Sequence, residues 1–162
     1  MKKILLMAFA VPFMLLASCG DDNDPIKDGT ELGTDEDDSN VKEAKITEPV
    51  VEFGKEIEYI KSKDTRIPVS EENGELIYKD NGGDQMTTYS FNPGLFLVEI
   101  QVKDYTYKET VKFYKKRYEY MGANDEVQMA GFTDENKTKI ITVGYNDVYK
   151  CLLVSYMPYP KQ

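Results

Sequence analysis

Two segments of this chain carry apolar residues at intervals of three and four, the spacing of one face of an α-helix. The apolar positions are Val50, Phe53, Ile57 and Ile60 in the first segment and Tyr107, Val111, Tyr114, Tyr118 and Met121 in the second. Pro49 suits the start of the first helix, and Asp104 and Gly122 are typical of the start and end of the second. The pattern predicts two amphipathic helices.

Each predicted helix is followed by three runs that have the composition of β-strands and are separated by turn residues. The runs are 75–78, 87–91 and 95–102 after the first helix, and 127–132, 139–143 and 148–157 after the second. Residues 61–74 are expected to form a loop. This loop is where the two halves of the pattern differ most.

Short sequence matches accompany the common order of elements. Val51-Glu52-Phe53 corresponds to Val111-Lys112-Phe113, and Leu97-Val98-Glu99-Ile100 corresponds to Leu153-Val154-Ser155-Tyr156. We interpret the two halves as copies of one αβββ unit, with chance similarity between two amphipathic stretches as the alternative. The copies span about 47–103 and 104–159.

Residues 47–162 are therefore expected to form a single α+β domain, with an antiparallel sheet and two helices packed on it. The order of elements resembles the tandem αβββ architecture of β-lactamase-inhibitor-like and PepSY-like domains. The domain is also similar to a group of small Bacteroidetes lipoproteins. The residues that carry this second resemblance are Pro49, Phe53-Gly54, the segment 118–122 and the segment 153–158. That group implies no particular activity.

The N-terminus has the pattern of a secretory signal peptide, with Lys2 and Lys3 before an uncharged apolar run at 4–18. The run is shorter than the roughly 20 residues of a membrane-spanning helix. It ends in Leu16-Ala17-Ser18-Cys19, which resembles the lipobox of bacterial lipoproteins. The resemblance implies that residues 1–18 are removed and that Cys19 carries acyl chains that anchor the protein in a membrane. An ordinary signal peptide with a chance cysteine is the alternative.

The segment Gly20-Asp21-Asp22-Asn23-Asp24 resembles the acidic export signal of surface lipoproteins in Bacteroidetes-type bacteria. It implies an outer-membrane location facing the cell exterior, with a periplasm-facing lipoprotein as the alternative. Residues 20–46 hold ten carboxylates against three lysines. Because such a segment buries little apolar surface, residues 19–46 are expected to form a lipidated, disordered tether. An EF-hand-like match in the tether fails at Ile26, so no metal site is expected.

The composition excludes several classes of catalytic and binding site. The chain has no histidine, which excludes Ser-His-Asp and Cys-His catalytic sites. It has no phosphate-binding glycine motif, and its net charge of −9 argues against nucleic acid as a partner. Cys151 lies in an alternating strand pattern and is expected to be an inert, buried thiol. No cofactor and no catalytic residue are therefore predicted.

Catalysis by a carboxylate pair, as in glycoside hydrolysis, is the remaining enzymatic alternative. The acidic residues of suitable type are Glu75, Asp84, Glu99, Asp104, Glu126 and Asp134. They are too many to rank, and a domain of this size leaves little room for a cleft. We therefore expect these residues to be surface charges and the protein to be no enzyme.

Phe113, Arg117 and Tyr120 share one side of the second predicted helix. Aromatic and arginine side chains are enriched as anchors of protein interfaces, and aromatic rings also stack on sugars. The three residues are therefore a candidate binding patch, and burial against the sheet is the favoured alternative. A stripe of lysines on the same helix is read as a solvated face.

The sequence as a whole predicts a non-enzymatic outer-membrane lipoprotein that presents a small binding module for a protein or glycan. The binding surface would be either the sheet face or the aromatic side of the second helix. A periplasm-facing enzyme inhibitor or assembly accessory is the second hypothesis, and a carboxylate-based hydrolase is the third.

Overall fold

A computed structural model describes residues 41–80 and 85–160 of the chain. The predicted signal peptide, Leu16, Ala17, Ser18, Cys19 and most of the predicted tether lie outside these residues. In chain order the elements are α1 (Ile57–Lys63), β1 (Pro68–Glu72), β2 (Glu75–Lys79), β3 (Gln85–Phe91), β4 (Leu95–Val102), α2 (Tyr107–Lys115), β5 (Glu119–Asn124), β6 (Met129–Thr133), β7 (Lys139–Asn146) and β8 (Cys151–Pro158). Neither helix is long and apolar enough to cross a membrane.

The eight strands form one antiparallel sheet in the order β1-β2-β3-β4-β8-β7-β6-β5. Strands β1–β4 and β5–β8 each form a meander, and the two meanders meet where β4 pairs with β8. The edges of the sheet are β1 and β5. The predicted α+β class, with an antiparallel sheet and two helices, is confirmed.

Each helix is followed by four strands, so the predicted αβββ units are not what the chain forms. The additional strand of the first half, β1, lies in the segment 61–74 that was expected to be a loop. The additional strand of the second half, β5, occupies residues that were assigned to the end of the second helix. The aromatic and apolar residues at 118–121 fit a strand as well as a helix, and pairing with β6 decides between the two.

Helix α1 begins at Ile57, seven residues later than the predicted start at Val50. The preceding residues pair with the start of β4 instead, because Gly54 N donates to Leu95 O at 2.8 Å and Leu95 N donates to Lys55 O at 2.8 Å. Phe53 therefore precedes its helix, whereas Phe113 lies inside α2. The predicted match between 51–53 and 111–113 is wrong in its placement.

The core lies between the helices and one face of the sheet. Helix α2 begins with a capping box, in which Thr106 and Glu109 bond each other's backbone amides. The helix packs on β6 and β7 and buries Phe113 and Tyr114. The Tyr114 hydroxyl lies 2.7 Å from the hydroxyl of Tyr156 in β8, so the two hydroxyl groups form a hydrogen bond inside the core. Helix α1 contributes its buried residue, Ile60.

Residues 41–46 pack on the domain, although they were assigned to the disordered tether. Ala44 and Ile46 are buried in the core cluster. Ala44 N donates to Glu109 O at 3.2 Å, and Lys112 Nζ donates to Val41 O at 2.6 Å. The packed part of the chain therefore includes residues 41–46, and the predicted domain start at residue 47 is too late.

Candidate functional site: the open face of the sheet

The two faces of the sheet differ in what covers them. One face packs against the core and is fully buried along a row of cross-strand neighbours. This row consists of Leu76, Tyr89, Val98, Tyr156, Ile141 and Phe132. The side chains that alternate with them point to the opposite face, which neither helix covers. We call this second surface the open face.

A polar row crosses the middle of the open face. Its members are cross-strand neighbours on β3, β4, β8 and β7, namely Thr88, Glu99, Ser155 and Thr142. All four are half-buried. Glu99 and Ser155 stand directly opposite each other on the two central strands, and Ser155 Oγ donates to Glu99 Oε1 at 3.4 Å. The row places one carboxylate among three hydroxyl groups.

Glu99 is an uncompensated acid. No cation lies within ion-pair distance of Glu99 in the parts of the chain that the structure describes. Burial raises the pKa of its carboxyl, the bond from Ser155 opposes that rise, and the negative charge of Glu75 adds to it. A partly desolvated carboxylate with one long hydrogen bond retains unused acceptor capacity. It is therefore suited to accept further donors from a ligand.

Apolar side chains flank the polar row on both sides. They lie on the same face of the four central strands, and they are Met86, Leu97, Leu153, Ile140 and Met157. Met157 is 37% exposed, and the other four are half-buried. A few polar groups among apolar side chains are the composition, although not the concave shape, of small-molecule sites. The open face has the composition of a binding surface.

The predicted patch on helix two is divided by the structure. Phe113 is 4% exposed and packs edge-to-face on Tyr114, with ring centroids 5.1 Å apart, so it belongs to the core. Tyr120 is 45% exposed but lies in β5, where its ring centroid is 5.6 Å from that of Phe132. The three residues therefore do not share a helix face, and the interpretation of Phe113 as an exposed anchor is wrong.

Arg117 is held by groups of its own chain. Its guanidinium lies 3.7 Å from the centroid of the Phe113 ring. It donates to Phe113 O at 2.8 Å and to Glu43 Oε1 at 2.6 Å. Glu43 also binds Lys116, and the two cations hold the pKa of its carboxyl below the usual value. This ion pair ties the segment 41–46 to the end of α2.

A shallow groove lies beside this contact. It has a volume of about 450 Å³ and is lined by residues 43–47 together with Phe113 and Arg117. Its charged groups, Glu43 and Arg117, already bind each other. The groove is therefore a weaker candidate than the open face, where the carboxylate lacks a cation.

Of the other acidic candidates, Glu75 raises the pKa of Glu99 through its negative charge, and Asp134 has a separate structural role. Asp134 caps the turn before β7 by accepting from Thr138 N at 2.8 Å and Lys139 N at 2.9 Å, which lowers the pKa of its carboxyl against the effect of burial. Asp84 lies outside the described residues. Cys151 is buried, and burial raises the pKa of its thiol. Among the described residues, no group of acidic and cysteine side chains is arranged to hold a metal ion.

Glu99 is one of the six acidic residues of suitable type in the sequence, and its place in the chain distinguishes it from the others. A carboxylate between Val98 and Ile100, in a run that reads as a central strand, is unusual because buried strand positions are rarely charged. Because side chains alternate between the two faces of a strand, the position of Glu99 between two apolar residues places its carboxylate on the face away from the core. Ser155, Thr88 and Thr142 carry no such signal, since only the pairing register brings them beside Glu99.

Comparison with protein-family models, with curated proteins and with solved structures gave no match to this chain.

Proposed function

We propose that the protein is a non-enzymatic binding module, attached by lipid to the outer membrane and presenting the open face to a protein or glycan outside the cell. The observation that carries the proposal is the half-buried Glu99 carboxylate at the centre of that face, with no cation beside it among the described residues. The attachment rests on the lipobox-like sequence 16–19 and on the acidic segment after it. A periplasm-facing accessory protein is the alternative location.

The chemistry of the polar row indicates what the ligand offers. Burying a carboxylate costs free energy unless donors replace the lost water. A ligand with ammonium, guanidinium or clustered hydroxyl groups would supply donors to Glu99, and charge-assisted hydrogen bonds of this kind are the stronger ones. The threonine and serine hydroxyls beside Glu99 both donate and accept. The flanking methionine and leucine side chains would cover the apolar parts of the same ligand.

We further infer that the domain is a duplicated αββββ unit. Adding 54 to every residue number of the β2–β3 pairing gives the β6–β7 pairing, so that Ile77 with Thr88 becomes Gly131 with Thr142. The two edge strands also correspond to each other. The pairing register changes by one residue at Val69 in β1 and at the equivalent residue, Met121, in β5. Two unrelated meanders would have no reason to share an irregularity at the same position.

The same register makes Glu99 and Ser155 equivalent residues of the two units. Adding 54 to the residue numbers of β3 and 56 to those of β4 gives the β7–β8 pairing. In this correspondence, Glu99 of β4 is equivalent to Ser155 of β8. These two residues also pair with each other across the β4–β8 junction. The proposed site therefore lies on the pseudo-twofold axis between the units, where one copy supplies a carboxylate and the other a hydroxyl.

The test is a comparison of Glu99→Gln with Glu126→Gln, which changes the net charge equally but lies in the exposed β5–β6 turn. Both variants and the unchanged protein would be probed against immobilised glycans and outer-membrane extracts. We expect Glu99→Gln to lose binding while keeping or raising its melting temperature, because the amide costs less to bury. Glu126→Gln should bind normally. Equal binding by all three proteins would overturn the open-face proposal.

A further inference from the structure

The two edges of the sheet are protected to different degrees. An edge strand exposes unpaired backbone groups to which another strand can add, and proteins discourage this with proline, charge and bulges. The β1 edge has Pro68 at its start, and Glu71 and Glu72 in its second half. Lys61 also lies over this edge and binds Glu71 at 3.0 Å. These features disfavour the addition of another strand to β1.

The β5 edge lacks most of this protection. All six of its residues are exposed, it contains no proline, and its one charged residue is Glu119 at the end. Tyr120 and Met121 are 45% and 51% exposed, and the neighbouring Met129 is 52% exposed. Both edge strands contain a β-bulge, at Val69 in β1 and at Met121 in β5, so the bulge does not account for the difference in protection. No strand within 41–80 or 85–160 pairs with the outer side of β5, so this edge combines backbone groups available for pairing with exposed apolar side chains.

We propose that β5 pairs antiparallel with β5 of a second copy of this chain, which would extend the sheet across a twofold axis. Pairing of β5 with itself brings no like charges face to face. Antiparallel pairing about its centre sets Glu119 of each copy opposite Asn124 of the other, with the two carboxylates about 17 Å apart at 3.4 Å per residue. The same pairing of β1 would place Glu72 against Pro68 of the other copy.

The internal junction of the chain supports a second copy as the occupant. Strands β4 and β8, which are equivalent in register, already pair antiparallel about Glu99 and Ser155. A β5–β5 junction would repeat that arrangement between chains. The net charge of −9 opposes association, but exposed charges are screened beyond about 8 Å at physiological salt. Lys115, 4.9 Å from the centroid of the Tyr120 ring, also places a positive charge beside this edge.

The first experiment is oxidative cross-linking of the full chain with Met121→Cys. Val69→Cys is the matched control, since Val69 is the equivalent bulge residue of β1 and is 56% exposed. Both variants carry Cys19→Ala, so that buried Cys151 is the other thiol present. A disulfide needs Cα atoms within about 7 Å, a separation that the β5 pairing provides near its centre. We expect a disulfide-linked dimer from Met121→Cys and a monomer from Val69→Cys.

The second experiment adds Ala123→Lys to the Met121→Cys chain. Ala123 is exposed, so the lysine should leave the fold and the melting temperature unchanged, but it places a charge on the edge that disfavours strand addition. We expect the cross-linked dimer to disappear. Sedimentation of the chain without added cysteines should also show a concentration-dependent dimer that Ala123→Lys abolishes.

Several outcomes would overturn the proposal. They are a folded Met121→Cys chain that stays monomeric, equal cross-linking of Val69→Cys, a dimer that survives Ala123→Lys, and an adduct with a different protein at residue 121. None of these results depends on ligand binding at Glu99, so the edge proposal and the open-face proposal fail separately.

Discussion

Asp64 and Arg66 form the least exposed ion pair of the residues that the structure describes. The guanidinium donates from Nε at 2.9 Å and from Nη2 at 2.6 Å to the two carboxylate oxygens. Its Nη1 donates to Thr87 Oγ1 at 3.0 Å and to Asp80 Oδ1 at 3.3 Å. The hydroxyl of Tyr89 donates to Asp64 at 2.7 Å. This network ties the segment between α1 and β1 to β3.

The network predicts a pH dependence of stability. Burial favours the protonated form of Asp64, but the hydrogen bonds from Arg66 and Tyr89 outweigh burial and lower the pKa of the carboxyl. A lowered pKa stabilises the fold above the unfolded value of about 3.9, and that stabilisation is lost as the pH falls through the folded value. Asp64→Asn should cost up to about 3–5 kcal/mol at pH 7, because it removes the carboxylate that binds two guanidinium nitrogens and leaves the longer contact with Asp80 as the ion pair of Arg66.

The measurement is chemical denaturation of Asp64→Asn and of Glu71→Gln at pH 7 and at pH 3. Glu71 forms an exposed pair with Lys61, so its loss should cost no more than about 1 kcal/mol. The unchanged protein should lose more stability between the two pH values than Asp64→Asn does. An Asp64→Asn protein as stable as Glu71→Gln at pH 7 would contradict this account.

Sequence reasoning at the residue scale was limited by tertiary context. Spacing placed Phe113 and Arg117 on one helix side, but whether that side faced solvent depended on the segment 41–46. The acidic composition of residues 20–46 as a whole had assigned this segment to the disordered tether. The Arg66 network was equally hidden, because its partners lie up to 25 residues apart and the segment between α1 and β1 has no periodic pattern. Local patterns identify which side chains share a face, but not what packs against it.

At the scale of elements, the start of β4 is fixed by a close contact between two glycines. A Cβ atom added to Gly94 would lie 2.5 Å from Gly54 O and 2.8 Å from Gly54 Cα. Gly54 itself has a φ of +82°, which favours glycine. This contact allows the backbone pairing between Lys55 and Leu95 that delays the start of α1. Helical periodicity could not reveal it, since the contact joins residues 40 positions apart.

Gly94→Ala should therefore destabilise the protein by about 1–3 kcal/mol, the usual cost of forcing an atom into a packed site. Gly144→Ala is the control, because an added Cβ there meets its nearest atom, Gln128 O, at 3.8 Å. That substitution should change stability by less than about 0.5 kcal/mol. Thermal unfolding of the two variants tests the prediction, and equal melting temperatures would refute the role assigned to the glycine contact.

At the scale of the whole domain, the sequence predicted the α+β class and six of the eight strands. The strand-like runs of the sequence located β2, β3, β4, β6, β7 and β8 because the apolar residues of these strands face one core. The match of 97–100 with 153–156 agrees with the pairing register of β4 and β8. The edge strands were missed, since β1 is polar and β5 is exposed throughout, and neither has the alternation of a half-buried strand.

The lipid anchor is tested most directly with the two cysteines of the chain. If Cys19 carries the acyl chains, Cys19→Ala should move the protein from the membrane pellet to the soluble fraction, since a protein without acyl chains loses about 0.8 kcal/mol of membrane affinity for each CH₂ group. Its melting temperature should not change, because the core is built from residues 44–156. Cys151→Ala should stay in the pellet, as Cys151 is buried in β8. A Cys19→Ala protein that remains in the membrane after a carbonate wash would rule out acylation of Cys19 as the means of attachment, and the proposed presentation of the open face at the cell surface would then need another basis.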